Sequence, residues 1–193
     1  MADQRAEHVV RVLKETAAAH ERMAADTANA VAPIVAVAEA ITKTLKQGGA
    51  VLVFGNGGSA ADAQHFAAEL LGRFEKERKA YPAVALTTDT SALTAIGNDY
   101  GFDRVFARQL EALGKKGDVA IGITTSGNSP NVLRALETGN ERGLTTVALT
   151  GSGGAAGSLA THHIAVNEAR TARIQEVHST VLHVICELVE REL

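Results

Sequence analysis

Two segments rich in glycine and hydroxyl side chains carry the residue types that bind phosphate groups. The first is Gly55-Asn-Gly-Gly-Ser59, and the second is Thr124-Thr-Ser-Gly-Asn-Ser129, which Pro130 follows. Each comes after an apolar run and opens a predicted helix, so backbone N–H groups and a helix N-terminus would face an anion there. Neither segment contains lysine, so neither is a P-loop, and the pattern favours a sugar phosphate over a nucleoside triphosphate.

Two alternative interpretations of the first segment stay open at this point. A tight turn between a strand and a helix would use the same glycines. Gly55-x-Gly57-x-x-Ala60 also fits the dinucleotide-binding pattern, which calls for an acidic residue at the end of the second strand, about 20 residues on. The nearest candidate, Asp89, lies about 29 residues beyond Ala60, which disfavours a dinucleotide site.

Histidine and carboxylate side chains follow in two predicted helices. His65 and Glu69 are four residues apart and therefore share a helix face, a geometry that suits metal ligation or acid–base chemistry as well as a surface ion pair. His183 lies within the apolar stripe of the last helix, eight residues after Gln175. It is either part of a site or a core histidine that bonds a backbone carbonyl.

An α/β fold would bring these residues together. Apolar runs alternate with helical segments, which predicts a parallel sheet covered on both faces. The runs are 50–54, 83–86, 118–123, 144–149 and 163–166. Right-handed crossovers then give a doubly wound, flavodoxin-like sheet of five strands. In a 2-1-3-4 order the first and third strands are neighbours, and both phosphate-binding segments face one ligand.

Two helices, over 4–25 and 27–47, are predicted before the first strand. They have no sheet face of their own, so they pack on each other or on another subunit. No repeat or linker divides the 193 residues, which predicts a single domain over 1–193.

The composition narrows the classes of partner. Aromatic residues make up 4% of the chain, the formal net charge is -3 and no basic run occurs, which argues against a nucleic-acid partner. Cys186 is the single cysteine, as expected in a reducing cytoplasm. No apolar stretch of about 18 residues and no signal-peptide core are evident, so neither a membrane span nor export is predicted.

Four motifs resemble the phosphoheptose isomerases of the sugar isomerase (SIS) domain superfamily. They are Gly55–Glu69, Leu93–Asp99, Thr125–Ser129 and Arg173–His178. They agree in order and spacing over nearly the whole chain. The resemblance implies a SIS domain that interconverts sedoheptulose 7-phosphate and D-glycero-D-manno-heptose 7-phosphate for nucleotide-activated heptose synthesis. It also implies a homotetramer with active sites at subunit interfaces, in which the helices over 4–47 serve oligomerisation.

The resemblance further implies roles for single residues. An enediol mechanism would use Glu69 as the base and His183 as the acid. One zinc ion per subunit would be held by His65, Glu69, Gln175 and His183. Phosphate or sugar contacts are implied for Asn56, Gly57, Gly58, Ser59, Asp99, Thr124, Thr125, Ser126, Ser129 and Gln175, and for Arg73 from a neighbouring chain. Thr124 stands where many members have serine, and Ala172 where the family can have aspartate.

Two tensions accompany these roles. Gln175 and His183 lie about 12 Å apart along a regular helix, so they share a metal only if their side chains lean together or the helix is irregular. A carboxylate committed to zinc is also a weaker base.

A bacterial regulator that binds the replication initiator resembles the chain too, but it lacks the catalytic glutamate and the last-helix histidine. Glu69 and His183 therefore favour an enzyme over such a regulator.

Overall fold

The computed structural model describes residues 2–193 and contains a five-stranded, all-parallel sheet. The strands are β1 (Val51–Gly55), β2 (Ala83–Ala85), β3 (Val119–Thr124), β4 (Thr145–Thr150) and β5 (His162–Ala165). Their order across the sheet is β2-β1-β3-β4-β5. From β1 the chain adds β2 on one side, and from β3 it adds β4 and β5 on the other side, so the switch point lies between β1 and β3. This confirms the predicted doubly wound arrangement.

The β1–β3 pair forms the centre of the sheet. Gly55 pairs with Ile123, so both strands end at the same edge. Every residue of the two strands is buried. Successive side chains point to opposite faces, so Val53 belongs to one core and Phe54 to the other. Continuous apolar runs predicted these strands correctly because both faces of the sheet are covered.

Eight α-helices flank the sheet in the described part of the chain. They are α1 (Ala2–Ala25), α2 (Ala32–Lys46), α3 (Gly58–Leu71), α4 (Thr90–Tyr100), α5 (Ala107–Leu113), α6 (Pro130–Glu141), α7 (Ala156–Leu159) and α8 (Thr171–Glu192). One core lies between the sheet and α1, α2, α3 and α8. The other lies under α5 and α6.

Two predicted helices differ from the structure in their detail. The helix predicted over 27–47 begins as a separate π-helical turn, Thr27–Val31, which leads into α2. The sequence also predicts a helix over about 102–112, where the structure has a 3₁₀ turn, Phe102–Arg104, followed by α5. The helix predicted over 4–25 is present as α1.

Asp26 and Pro33 account for the π-helical turn. The Asp26 carboxylate accepts the N–H of Asn29 at 3.0 Å and so caps the turn. Its carbonyl accepts the N–H of Val31 at 3.1 Å, the i to i−5 bond of a π-helix. Pro33 has no N–H to donate to the preceding turn and falls at the start of α2, where this is tolerated.

One helical segment within residues 2–193 is long and apolar enough to cross a membrane, judged by length and composition alone. It is Thr27–Lys46, with 20 residues and a mean hydropathy of 1.2. The sequence prediction missed it because Glu39 and Lys43 interrupt the apolar run. In the structure, Val37 and Ile41 of this segment lie in the core. The segment therefore serves as a core helix of this fold.

Helices α3 and α8 pack side by side and run in the same direction. At their N-terminal ends, Gly58 packs against the side chain of Gln175. One turn farther along, Ser179 donates a hydrogen bond to Asp62 at 2.8 Å. Near its C-terminal end, α8 contacts the loop that follows α3 through Glu190. We call this contact, from Gly58 and Gln175 to Glu190, the α3–α8 seam.

A buried carboxylate closes the far end of the seam. Glu190 accepts backbone N–H groups from Phe74, Glu75 and Lys76 at 2.9, 3.0 and 3.1 Å, and the Arg78 Nε–H at 2.8 Å. Burial by itself raises the pKa of Glu190, but these four hydrogen bonds outweigh burial and lower the pKa to about 2. The carboxylate is therefore ionised in the folded protein even at moderately acidic pH.

The low pKa of Glu190 predicts a specific acid sensitivity. A carboxylate whose pKa is lower in the folded than in the unfolded state stabilises the fold above its ordinary pKa of 4.5, and this stabilisation is lost as the pH falls towards about 2. We expect Glu190→Gln to remove this part of the pH dependence. It should also cost roughly 3–5 kcal/mol at pH 7, because it leaves Arg78 buried without its partner charge.

Urea unfolding between pH 7 and pH 2.5 measures both effects. Glu137→Gln is the matched control, since Glu137 forms an exposed ion pair with Arg134. An equal loss of stability with acid in the wild type and in Glu190→Gln would contradict the assignment.

Candidate functional site

The two segments predicted to bind phosphate meet at the carboxyl edge of β1 and β3. A reciprocal pair of amide hydrogen bonds joins them: Asn56 Nδ2 donates to Asn131 Oδ1 at 2.9 Å, and Asn131 Nδ2 donates to Asn56 Oδ1 at 2.8 Å. Asn131 is 2% exposed and lies in the first turn of α6. Asn56, predicted to contact sugar, therefore uses its side-chain amide to hold the two segments together.

Hydroxyl groups line the second segment. The Thr124 Oγ1 lies 2.9 Å from Ser129 Oγ and 3.4 Å from Ser126 Oγ, and the N–H of Asn128 donates to Ser126 Oγ at 3.2 Å. Thr125 and Ser126 line an open cleft of about 340 Å³. We call the hydroxyls of Thr124, Thr125, Ser126 and Ser129 the cup, because they form the concave arrangement that a phosphate monoester would need.

Ser59, a residue type that often caps helices, does not cap α3. The cap of α3 is Gly57, whose φ of 56° is in the left-handed region that favours glycine, and the helix begins at Gly58. Ser59 therefore lies within the first turn and is 3% exposed. Ser59 is the second residue of the helix, and its hydroxyl makes no capping bond.

Three helix N-termini converge around the cup. Helices α3 and α6 start directly after the two segments. The first turn of α8 lines the cleft through Thr171 and Ile174. Gln175 extends this wall, because its side chain fills the space in which Gly58 would carry a Cβ atom. Helix N-termini carry partial positive charge and free N–H groups, so this arrangement attracts an anion without lysine.

His65, Glu69 and His183 form a compact group farther along the α3–α8 seam. His65 Nε2 lies 2.9 Å from Glu69 Oε1. The His183 ring stands at 88° to the His65 ring, with centroids 5.0 Å apart. One ligand atom from each of the three residues lies within 4.8 Å of the other two. We call these residues the metal-ligand trio, because two imidazoles and a carboxylate so spaced are a donor set suited to a divalent metal.

The trio is open to solvent. The side chain of His65 is 51% exposed and that of Glu69 is 22% exposed. His183 is half-buried and faces His65. The alternative of a core histidine satisfied by a backbone carbonyl does not describe His183.

His178 fits that description instead. It is fully buried, and its Nε2 lies 3.0 Å from the Thr150 carbonyl oxygen. Burial lowers the pKa of His178, while the Thr150 carbonyl and the charge of Asp62 act in the opposite direction. The imidazole is therefore neutral, and it belongs to the structural core.

Gln175 lies away from the trio within this chain. Its side chain contacts Gly58, whereas His183 lies eight residues later, about 12 Å along the helix. Of the four residues predicted to bind metal, the structure brings together the two histidines and Glu69. It places Gln175 beside Gly58, at the opposite end of the seam from Glu190.

Two predicted site residues lie on the surface, apart from the cup and the trio. Asp99 is exposed on α4 and accepts a hydrogen bond from Asn98 at 2.8 Å. Arg73 follows α3, with a 58% exposed side chain that pairs with Glu77 at 3.8 Å. Within residues 2–193, no hydrogen bond joins either residue to the cup or the trio.

Sequence reasoning missed two residues that shape the site. Asn131 had no signal beyond its place in the first turn of a helix. The ring centroid of Phe74 lies 5.4 Å from that of His183, at an interplanar angle of 37°. Phe74 stands in a charged segment after α3, where nothing in the local pattern predicts an inward-facing ring.

Comparisons with known proteins identify the family of this chain. The profile of the SIS domain family matches residues 14–151. The phosphoheptose isomerase of Aquifex aeolicus is 61% identical over 158 residues, which cover 81% of this chain and 83% of that protein. The one from Solidesulfovibrio magneticus is 53% identical over 185 residues, with coverage of 96% and 89%.

A solved structure extends the similarity to three dimensions. The phosphoheptose isomerase from Neisseria gonorrhoeae superposes with a TM-score of 0.89 at 46% sequence identity. The match covers 96% of this chain and 98% of the other. The identity, the coverage and the shared fold together show that this chain belongs to the phosphoheptose isomerases of the SIS domain family.

Proposed function

We propose that this protein is an aldose–ketose isomerase that converts sedoheptulose 7-phosphate to D-glycero-D-manno-heptose 7-phosphate, for the synthesis of nucleotide-activated heptoses. The observation that carries the proposal is the meeting of His65, Glu69 and His183 on the same seam as the hydroxyl-lined cup. Its relatives named above are phosphoheptose isomerases, which supports the same substrate.

The spacing along α3 suits a sugar phosphate. From Ser59 in the first turn to His65 is about 9 Å at the rise of a helix, close to the length of a short sugar chain. With the phosphate held by Ser59, Thr125, Ser126 and Ser129, the other end of an open-chain sugar would lie beside the trio. Gln175, next to Gly58, would contact the substrate near its phosphate end.

The isomerisation moves a proton between C1 and C2 through an enediol. In our proposal Glu69 takes the proton from one carbon and returns it to the neighbouring carbon. His183 gives a proton to the carbonyl oxygen and takes the proton from the hydroxyl that becomes the new carbonyl. Both side chains reach solvent from one surface, and their ligand atoms lie within 4.8 Å. In this proposal a single carboxylate on one face of the enediol would serve both carbons.

We further propose one zinc ion per subunit, held by His65, Glu69 and His183. The donor set fits zinc, which commonly takes three protein ligands at catalytic sites. When bound, zinc would polarise the carbonyl and hydroxyl oxygens of the sugar. Gln175 completes this set only if its side chain leaves Gly58.

A homotetramer in the cytoplasm is the assembly and location that we propose. Apolar side chains lie exposed on the N-terminal helices and the adjoining face of α8, which supports burial against other copies. They are Val9, Val10, Leu13, Val31, Val35 and Val184. Arg73 and Asp99 lie apart from the site of their own chain, and a neighbouring copy would bring one of them to that site. The single buried cysteine, Cys186, suits a reducing compartment.

Binding to the replication initiator, without catalysis, is the less favoured alternative. Glu69 and His183 are both retained and lie together, as catalysis would require. The relatives described above carry the isomerase name.

Glu69→Gln tests the assignment of the base. We expect turnover to fall by at least about 100-fold, because the amide cannot accept the carbon-bound proton. Binding of sedoheptulose 7-phosphate, measured by calorimetry, should stay within a few fold, because the cup is unchanged. NMR of the aldose product measures turnover, and Glu39→Gln, an exposed acid on α2, is the matched control.

Wild-type turnover in Glu69→Gln would exclude Glu69 as the base. If the wild-type protein forms no aldose, with or without added zinc, and captures the replication initiator in a pull-down, the regulator hypothesis would replace the isomerase.

Gly58→Ala tests the phosphate-binding end of the seam. The new methyl group would occupy the space of the Gln175 side chain, which must then move. We expect KM for the sugar phosphate to rise about tenfold or more, the scale of one lost hydrogen bond to a charged group, with a smaller effect on kcat. Gly97→Ala in α4 is the matched control, since its nearest neighbour would lie 3.8 Å away. An unchanged KM would exclude this role for Gln175.

Leu13→Glu and Val35→Glu test the assembly. Light scattering of the wild-type protein should give about 80 kDa, four times the 20.1 kDa chain. Both variants should give smaller species, because a buried unpaired carboxylate is costly at an interface. Leu113→Glu, at a 50% exposed position on α5, should leave the mass unchanged. A wild-type monomer would contradict the tetramer.

A further inference from the structure

A single guanidinium connects the helix that carries Glu69 to the helix that carries His183. Arg78 Nη2 donates to the backbone carbonyl of Glu69 at 2.7 Å, and Nη1 donates to that of Leu70 at 3.0 Å. Its Nε donates to Glu190 of α8 at 2.8 Å. The side chains of Arg78 and Glu190 are only 9% and 3% exposed. The bridge is therefore buried and attaches directly to the backbone of Glu69.

The same ion pair positions the loop after α3. Glu190 accepts the backbone N–H groups of Phe74, Glu75 and Lys76, which fixes the start of this loop against α8. The loop presents Phe74 to His183, with ring centroids 5.4 Å apart. His183 is thus held between the Phe74 ring on one side and the His65 ring on another.

The chemistry of this bridge requires arginine. The last carbonyls of a helix have no partner within the helix, and Arg78 supplies donors to two of them at the end of α3. A guanidinium is a planar fork with five N–H donors, so it reaches the carbonyls and the carboxylate at once. A lysine ammonium keeps the charge but cannot span the same set of acceptors.

We propose that Arg78 and Glu190 are positioning residues of the metal-ligand trio. They fix the separation of α3 and α8 at Glu69 and His183 and hold Phe74 against the His183 ring. This inference rests on the proposed role of His65, Glu69 and His183.

A purely stabilising role is the competing explanation. Burial of an ion pair often contributes little net stability, because desolvation offsets the attraction between the charges. The bonds to the Glu69 carbonyl and to the loop that carries Phe74 give this pair a geometric role as well. Positioning predicts effects on metal affinity and kcat in protein that is still folded, which stabilisation alone does not.

Arg78→Lys and Phe74→Leu test the inference in the full-length protein, with Arg134→Lys, at an exposed ion pair, as the matched control. Zinc affinity is measured by competition with a chromophoric chelator, and kcat and KM are measured at saturating zinc. We expect both variants to bind zinc about tenfold more weakly, the scale of lost outer-shell support, and to lower kcat. KM should change less than twofold, since the cup lies at the other end of the seam.

NMR contacts between the His65 and His183 rings provide a readout that needs neither zinc nor turnover. These contacts should weaken in Arg78→Lys. If Arg78→Lys fails to fold, the zinc affinity, kcat and ring contacts of Phe74→Leu test the inference. Folded variants with wild-type zinc affinity, kcat and ring contacts would overturn the inference. A wild-type protein that binds no zinc and turns over no substrate would instead contradict the proposed function. The inference would then be tested by the ring contacts of the variants alone.

Discussion

The packing of α3 against α8 is the contact on which the rest of the molecule depends. Both helices run in the same direction, so residues at increasing numbers meet level by level: Gly58 with Gln175, Asp62 with Ser179, and Glu69 with His183. An antiparallel or shifted pair would separate these groups. The parallel sheet imposes this arrangement, because helices that return to the same edge of a parallel sheet point in the same direction.

In the proposed function, phosphate recognition and acid–base chemistry would therefore be divided between the two ends of one seam. The N-terminal ends of α3, α6 and α8 surround the cup, and the trio lies two turns farther on. The trio is carried by the regular helices α3 and α8, whereas Thr125, Ser126 and Ser129 of the cup lie in the loop between β3 and α6. Sites built on regular elements hold their geometry more closely than loop sites do.

Regular features of the sequence predicted the strands, the sheet order and the pairing of His65 with Glu69, because each depends on a local period or on a general chirality rule. The residues that sequence reasoning missed depend on contacts between distant segments. Asn131 pairs with Asn56 across 75 residues, and Phe74 meets His183 across 109. The helical pattern predicts that Gln175 lies on α8, but it does not predict that the Gln175 side chain packs against Gly58. The π-helical turn depends on the capping bond of Asp26, which the pattern does not predict either.

The two cup segments, Gly55–Ser59 and Thr124–Ser129, contain no ionisable side chain. Their attraction for an anion comes from helix dipoles, amides and hydroxyls, whose strength is constant between mildly acidic and mildly basic conditions. A phosphate monoester loses its second proton near pH 6. For the proposed phosphate ligand, the protonation change that alters binding to these two segments would therefore be that of the ligand, and the cup would act as a fixed receptor for the dianion.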